Sequence, residues 1–218
     1  MADKRIAVLI SGRGSNLGAL LEAERAGDLG GRIVRVISSK VDAPGLALAR
    51  AQDVPAVAVE PRQYPTRPAF DDALAVILRQ CRPDLVVLAG FMRVLGAAFV
   101  GEFEGRLLNI HPSLLPLYPG LHTHQRALDD GVRVHGCTVH FVTREVDVGP
   151  IIAQGAVAVA DDDDAASLAA RVLEVEHALL PAAVRWFCAD LLVIAGNRVR
   201  VNGVSGAVRP GALLMPPV

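Results

Sequence analysis

Two polar side chains interrupt an apolar run in the second half of the chain, which reads LLNIHPSLLPLYPGLH over residues 107–122. The run predicts a buried strand that Pro112 ends, because proline has no backbone N–H for a strand ladder. Side chains alternate along a strand, so Asn109 and His111 are expected on one face at the strand's end. An amide and an imidazole that point together out of a sheet indicate a site of chemistry.

Asp147 is the candidate third member of this group. It lies in the segment REVDVGP, a predicted turn between two strands rather than the solvated face of a helix. Asn109 and a protonated His111 could stabilise a developing oxyanion, and a nearby carboxylate would favour the charged imidazole. The trio predicts acyl transfer to or from nitrogen without a covalent nucleophile. The alternative, a histidine that only fills the core, is disfavoured by the neighbouring amide and the proline-rich loop.

A second candidate site is the turn SGRGSN, which follows the first predicted strand and opens the first helix. Backbone amides at a helix N-terminus favour an anion, so the turn predicts a phosphate cradle, shaped by Gly12 and Gly14 with Ser15 and Asn16 as donors. A dinucleotide fingerprint is disfavoured because Leu17 replaces its third small residue. A triphosphate loop would need Gly-Lys-Ser/Thr. The remaining alternative is a plain strand–helix turn that Ser15 caps.

Other chemistries have weaker support in the sequence. A metal site is disfavoured because no HExxH or Cys/His pairing accompanies the other five histidines, and no Gly-x-Ser-x-Gly elbow supports a serine hydrolase. Three widely spaced cysteines give no disulfide framework and favour a reducing compartment. These histidines and cysteines are His122, His124, His135, His140, His177, Cys81, Cys137 and Cys188.

Composition favours a folded domain. The chain has 218 residues, of which 52% are hydrophobic, so it can bury a substantial core and is not expected to be disordered. A net charge of −1 gives no electrostatic reason to expect a nucleic-acid or membrane partner. The N-terminal apolar run, residues 6–10, is too short for a signal peptide, and no segment is long enough to span a bilayer. We expect a cytoplasmic protein.

The elements that must position these residues follow from the apolar patterns. Strands and helices alternate in the first half, which predicts right-handed crossovers and a mostly parallel sheet. In the second half CTVHFVT and PIIAQGAVAV are expected to pair antiparallel, and a Gly-Asn turn indicates a hairpin over 193–201. The predicted strands are 5–10, 33–38, 56–59 and 85–89, and the predicted helices are 17–26, 45–52, 70–81, 124–130 and 165–187, the last with a possible kink at Pro181.

Longer matches identify a resemblance. The stretches VLISGRGSN, DLVVLAGFMRVL, GRLLNIHPSLLPLYPGLHTH, HGCTVHFVTREVDVGPII and RVLEVEH resemble the phosphoribosylglycinamide formyltransferase family, which depends on folate. They extend from about residue 6 to about residue 190. The resemblance implies an α/β, Rossmann-like formyltransferase domain over residues 1–203, a single mostly parallel twisted sheet flanked by helices, with antiparallel strands in its C-terminal half. Residues 204–218 are expected to be a loosely ordered tail.

The resemblance also implies roles for individual residues. It makes Asn109, His111 and Asp147 catalytic, and it implies 10-formyltetrahydrofolate as the formyl-donor cosubstrate, without a metal. Small molecules are the expected partners of a monomer or homodimer. The implied substrate-binding residues are Gly14, Ser15, Asn16 and Glu176. The implied folate-side residues are Arg67, Met92, Arg93, Val94 and Leu95, together with the backbone of Val142, Thr143, Arg144, Glu145 and Val146.

The sequence differs from the family's pattern at two positions, and three other functions are alternatives to the one the resemblance implies. Arg13 stands where relatives often carry Asn, and Pro68 follows Arg67 in an unusually proline-rich segment. Formyltetrahydrofolate hydrolysis and methionyl-tRNA formylation are rival reactions, which we expect to require an additional N-terminal or C-terminal domain. A binding module for phosphorylated sugars is the rival from another class, and the trio of Asn109, His111 and Asp147 counts against it.

Overall fold

The computed structural model describes residues 3–203 and 213–215, which contain one mixed sheet with helices on both faces. Its strands are β1 (Lys4–Ile10), β2 (Gly31–Ser38), β3 (Ala56–Ala58), β4 (Leu85–Leu88), β5 (Leu107–His111), β6 (Val134–Phe141), β7 (Ile151–Ala158), β8 (Leu192–Ala195), β9 (Arg198–Val201) and β10 (Leu213–Met215). Its helices are α1 (Ser15–Arg25), α2 (Pro44–Arg50), α3 (Arg67–Cys81), α4 (Ala97–Glu102), α5 (Thr123–Asp129) and α6 (Ala165–Cys188), with a 3₁₀ turn at Pro61–Gln63.

The strand order is β3-β2-β1-β4-β5-β6-β7-β9-β8, and β10 also pairs with β7. Strands β1 to β5 pair in parallel with one another, whereas β6 runs antiparallel to both β5 and β7. The predicted α/β class, with a mostly parallel sheet and antiparallel strands in the C-terminal half, is therefore confirmed.

Alternation along the strands divides the core into two layers. In β5, Leu108 and Ile110 pack with α1 and α6 on one side of the sheet, while Leu107 packs with α3 and α4 on the other. Asn109 and His111 follow Leu107 in the period of two, so both belong to the α3 side. The hydrophobic pattern of one strand thus decides on which face the polar pair lies.

Helix α3 begins three residues before the predicted start. The Thr66 side chain caps it by accepting a hydrogen bond from the Ala69 N–H, and Pro68 occupies its first turn, where no intrahelical donor is needed. The unusual Pro68 therefore starts a helix that carries Arg67 as its first residue. Helix α4, which the sequence reasoning did not identify, is only one and a half turns long.

Helix α6 continues unbroken through Pro181 to Cys188, and Asp164 and Ser167 form a capping box at its start. Its charged residues include Arg171, Glu174 and Arg185. Among the residues that the structure describes, neither α6 nor any other helix has the length and apolar character required to cross a membrane.

The predicted loose tail needs one correction. Leu213–Met215 form β10, which pairs antiparallel with residues 154–156 of β7. On this side β9 pairs with β7 only at Ile151, so β10 occupies an edge whose backbone groups β9 does not reach. The rest of the predicted tail lies outside the described residues.

Gly136 should be indispensable to the pairing of β6 with β7. A Cβ at this position would lie 1.9 Å from the backbone oxygen of Gly155, and a backbone atom cannot rotate away. We expect Gly136→Ala to lower the free energy of unfolding by about 3 kcal/mol or more. Urea denaturation measures this change.

Gly101→Ala is the matched control for that substitution. Gly101 is an exposed residue of α4, and a Cβ there would meet no atom within 4 Å. Alanine should therefore stabilise the helix by up to about 1 kcal/mol. Equal unfolding free energies for the two variants would contradict the close approach of β6 and β7.

Candidate active site

The end of β5 presents the polar pair that the sequence predicts. Asn109 and His111 lie two residues apart on one face, and β5 is fixed between β4 and β6 by backbone pairing on both sides. His111 is 5% exposed and Asn109 is half-buried. Both side chains therefore have positions set by the sheet rather than by a surface loop.

Asp147 joins this pair from the turn between β6 and β7. Its Oδ2 atom lies 3.4 Å from Nδ1 of His111 and accepts a hydrogen bond of 2.9 Å from the Gly120 N–H. Its backbone is left-handed, with φ of 58°, which is uncommon for a residue with a Cβ. The structure thus brings all three predicted catalytic residues together, while their roles remain predictions.

The hydrogen-bond partner of His111 determines the position of one of its ring hydrogens. Nε2 lies 2.9 Å from the backbone oxygen of Tyr118, which can only accept, so Nε2 carries a hydrogen. The other ring nitrogen, Nδ1, faces Asp147.

His140, whose role the sequence left open, belongs to the same cluster. Its Nδ1 donates to the backbone oxygen of Phe141 at 3.0 Å, and burial lowers the pKa of His140, so the ring is neutral. Nε2 is then an acceptor for the Nδ2–H of Asn109 at 3.1 Å. Asp147 Oδ1 lies 3.8 Å from the same Nε2. His140 therefore orients the amide of Asn109. The antiparallel register of β5 and β6 places His140 opposite Asn109.

The glycine turn differs from the plain strand–helix turn capped by Ser15 that the sequence offered as an alternative. Gly14, not Ser15, is the N-cap of α1, with φ of 79° and no side-chain hydrogen bond to the helix amides. A Cβ on Gly14 would lie 2.8 Å from the Cα of Gly45, so the turn requires glycine for both its conformation and its packing. Ser15 is the first residue of the helix. In the described structure the first amides of α1 are consequently left uncapped by side chains, as an anion cradle requires.

Asn16 and Glu176 form a buried pair next to this turn. Asn16 Nδ2 donates to Glu176 Oε2 at 2.7 Å, and each residue is 7% exposed. Burial raises the pKa of Glu176, and the hydrogen bond from Asn16 opposes that rise. The side chain of Asn16, predicted as a phosphate donor, is thus directed at Glu176. Two predicted substrate residues, from α1 and α6, do come together.

Of the first predicted folate-side group, Arg67, Arg93 and Val94 line a cleft of about 350 Å³ beside the start of α3. Met92 and Val94 are more than half exposed, and Arg67 donates to the backbone oxygen of Leu95 at 2.6 Å. Leu95 itself is 7% exposed and packs in the core, so its side chain is not available to a ligand. The cleft is lined by Pro61, Tyr64, Pro65, Thr66, Arg67, Phe70, Arg93 and Val94.

The second predicted folate-side group lies elsewhere, against α4. Residues 142–145 line a cavity of about 260 Å³ together with Val100, Gly101 and Glu104. The Val142 N–H donates to the Leu107 oxygen at 2.9 Å, which extends the β5–β6 pairing. Val146 is about half exposed and lies next to Asp147 in the chain. The two groups thus line separate cavities.

The histidines also include a buried pair close to the trio. His135 Nε2 lies 3.2 Å from His124 Nδ1, and the Tyr118 ring meets the His135 ring edge-on. Burial, and after it the neighbouring His124, lowers the pKa of His135 to about 4. In the described part of the chain, no group of three His, Cys, Asp or Glu side chains is arranged to hold a metal ion.

The low pKa of His135 predicts a loss of stability in mild acid. Between pH 6.5 and about 4 the unfolded chain binds a proton at His135 that the folded protein does not, so acid favours unfolding. The contribution of neutral His135 to the free energy of unfolding is fully present above pH 6.5. It falls by about 3 kcal/mol as the pH approaches 4. Urea denaturation at a series of pH values measures it.

Two variants isolate this effect. His135→Gln removes the titrating group and should flatten the pH dependence of the unfolding free energy. His122→Gln changes an exposed histidine and should retain the wild-type slope. If the wild type and His135→Gln lose stability equally between pH 7 and pH 4.5, His135 is not the source.

Comparison with known proteins agrees with the geometry. A family model described as formyl transferase matches residues 4–184. A phosphoribosylglycinamide formyltransferase of Escherichia coli (strain K12) is 46% identical over 198 residues, which cover 91% of this chain and 93% of the relative. The trifunctional purine biosynthetic protein adenosine-3 of Drosophila melanogaster is 49% identical over 183 residues, which cover 83% of this chain but only 14% of that protein.

A solved structure extends the likeness to three dimensions. The crystal structure of glycinamide ribonucleotide transformylase 1 from Symbiobacterium toebii superimposes with a TM-score of 0.90 at 50% identity, covering 91% of this chain and 94% of that one. The residues that the family model matches include the trio and the glycine turn. The chain belongs to the formyl transferase family.

Proposed function

We propose that this protein transfers the formyl group of 10-formyltetrahydrofolate to the amine of N1-(5-phospho-D-ribosyl)glycinamide, a step of de novo purine (IMP) biosynthesis. The observation that carries the proposal is the cluster of Asn109, His111 and Asp147 at the end of β5, with two of its members less than 3.5 Å apart. The names of the relatives support the same reaction.

The trio suits addition of an amine to a formyl carbon. The attack forms a C–N bond and a tetrahedral oxyanion. One N–H of the Asn109 amide is held by His140, which leaves the second for the oxyanion. One amide donor of this kind contributes about 3–4 kcal/mol to transition-state stabilisation. His111, on the same face of β5 with Nδ1 toward Asp147, is the second group assigned to stabilise the intermediate.

Collapse of this intermediate requires a proton transfer. The bond from the formyl carbon to the folate nitrogen breaks, and the proton lost by the amine must reach that nitrogen. The side chain of Asp147 is 10% exposed, so one of its oxygens can hold a water that relays the proton. The hydrogen bond from the Gly120 N–H keeps the carboxylate in place beside His111.

The glycine turn would bind the phosphate of the acceptor. The uncapped amides of α1 point to the carboxyl edge of the sheet, where ligands of open α/β sheets collect. The Asn16–Glu176 pair lies between this turn and α6, a position suited to polar contacts with the rest of the acceptor. A remote anchor of this kind places the amine for attack.

The formyl donor would lie along the exposed side chains of Arg67, Met92, Arg93 and Val94. Arg67, Arg93 and Val94 line the cleft beside α3, and its two guanidinium groups and apolar surface suit an elongated, anionic, aromatic molecule. The backbone of residues 142–146 remains the proposed contact for the pterin. The scheme assigns no step to a metal.

The proposed setting is the cytoplasm, with the protein as a monomer or homodimer that handles small molecules. All three cysteines are free and buried, as expected of a chain that folds without disulfides. The reactants are small and soluble, so the scheme needs neither a nucleic acid nor a membrane.

An activity assay tests the proposal directly. Purified protein, with 10-formyltetrahydrofolate and N1-(5-phospho-D-ribosyl)glycinamide, should release tetrahydrofolate and formylated amine in equal amounts, because one formyl group moves per turnover. A parallel reaction without the amine measures hydrolysis. Equal folate release with and without the amine would favour the hydrolase and refute the transferase.

Asp147→Asn should lower kcat by at least about a hundredfold and leave both KM values within about threefold. Asparagine keeps the size of the side chain but removes the charge that faces Nδ1 of His111. Asp162→Asn, in an exposed acidic run, is the control and should retain wild-type kinetics. The double variant that carries Asp147→Asn and His111→Asn should lose less kcat than the product of the two single-variant losses, since the residues act as a unit. A fully multiplicative loss would mean that they act independently.

A further inference from the structure

Residues 92–96, here called the wall segment, connect the end of β4 to α4 without forming a helix or strand. Met92 and Val94 are 62% and 54% exposed, and Arg93 and Val94 line the cleft beside α3. At its two ends Leu95 packs in the core and the Met92 N–H donates to Ser11 Oγ at 2.8 Å, but the exposed Arg93 and Val94 between them give the segment little further packing. Other groups must therefore hold its backbone.

One peptide group in the wall segment is held from both sides. The Leu95 oxygen accepts a hydrogen bond of 2.6 Å from Arg67 Nη2, and the Gly96 N–H of the same peptide donates to Asp71 Oδ2 at 2.8 Å. Arg67 and Asp71 are four residues apart on α3 and so lie on one face, with Nε and Oδ2 3.9 Å apart. They form a clamp on the Leu95–Gly96 peptide.

Gly96 allows this clamp to close. A Cβ at this position would lie 2.7 Å from Asp71 Oδ2, inside the contact distance of the two atoms. The φ of Gly96 is −76°, which any residue can adopt, so its backbone conformation does not require glycine. Glycine is required at this position because the Asp71 carboxylate comes too close to leave room for a Cβ.

The Asp71 carboxylate lowers the stability of the folded protein. It is 5% exposed among the apolar residues of α3, and its Oδ1 atom is buried without a hydrogen-bond partner in the described structure. A buried acceptor without a partner is destabilising, because it has lost its hydrogen bonds to water and gained none. Burial raises the pKa of Asp71, while the Gly96 N–H and Arg67 oppose the rise. An apolar residue would continue the buried face of α3 at lower cost.

We infer that Asp71 is a positioning residue for the formyl donor, acting through the clamp that it forms with Arg67 on the Leu95–Gly96 peptide. The clamp fixes Arg93 and Val94 at the cleft and directs the guanidinium of Arg67 along the same wall. This inference rests on the proposed function, because that function assigns the wall segment to the donor. Groups that bind a ligand need their supports to hold them to within about half an ångström.

Kinetics of Asp71 variants test the inference. Asp71→Ala should raise the KM for 10-formyltetrahydrofolate about tenfold, which corresponds to about 1.4 kcal/mol, and leave the KM for the phosphoribosyl acceptor within about twofold. Asp71→Asn should give a smaller rise, because the amide oxygen can still accept from the Gly96 N–H. Asp72→Asn alters the adjacent exposed carboxylate and should match the wild type.

Gly96→Ala breaks the clamp from the other side without altering α3, and so serves if Asp71→Ala fails to fold. It should raise the donor KM in the same way, and direct titration with 10-formyltetrahydrofolate should show the same loss of affinity. An unchanged donor KM in a folded clamp variant, or an equal rise in both KM values, overturns the inference but leaves the proposed function intact. If the wild type neither binds the donor nor transfers formyl, both are refuted.

Discussion

The carboxylate of Asp147 connects the turn between β6 and β7 to the proline-rich loop that follows β5, two irregular segments that no strand pairing joins. It receives the Gly120 N–H from the proline-rich loop and faces His111 at the end of β5, while its own backbone adopts a left-handed conformation. That conformation costs of order 1 kcal/mol for a residue with a Cβ, and the hydrogen bond from the Gly120 N–H offsets it. The strain occurs where the carboxylate must point inward, which is the usual place for strain in a functional site.

The sheet determines what this carboxylate can meet. Parallel pairing aligns β1, β4 and β5, with Leu9 opposite Leu88 and Leu88 opposite Asn109, so the glycine turn and the polar pair emerge at one edge. The change of direction at β6 then places His140 opposite Asn109. A fully parallel sheet would require a crossover after β5, and the second histidine would come from elsewhere. The antiparallel half of the fold is therefore part of the site.

Sequence reasoning succeeded where a local pattern determines the outcome. The period of two placed Asn109 and His111 on one face, and the sequence located the turn that carries Asp147. It failed where the partner of a side chain is set by tertiary packing. The amide of Asn16 meets α6 rather than the open turn, the side chain of Leu95 enters the core, and β10 fills a free edge of β7, none of which short-range sequence patterns encode.

The buried polar groups share one property that connects fold to function. Asn16 with Glu176, and Arg67 with Asp71, each join a helix to a segment beside the proposed ligand sites, and in each group a buried oxygen lacks a partner in the described structure. Apolar residues at these positions would cost less to bury. They would also remove directional contacts from the start of α1 and from residues 92–96, since apolar packing does not define orientation as hydrogen bonds do. The molecule therefore accepts a loss of stability at the positions where its irregular segments must be held in one place.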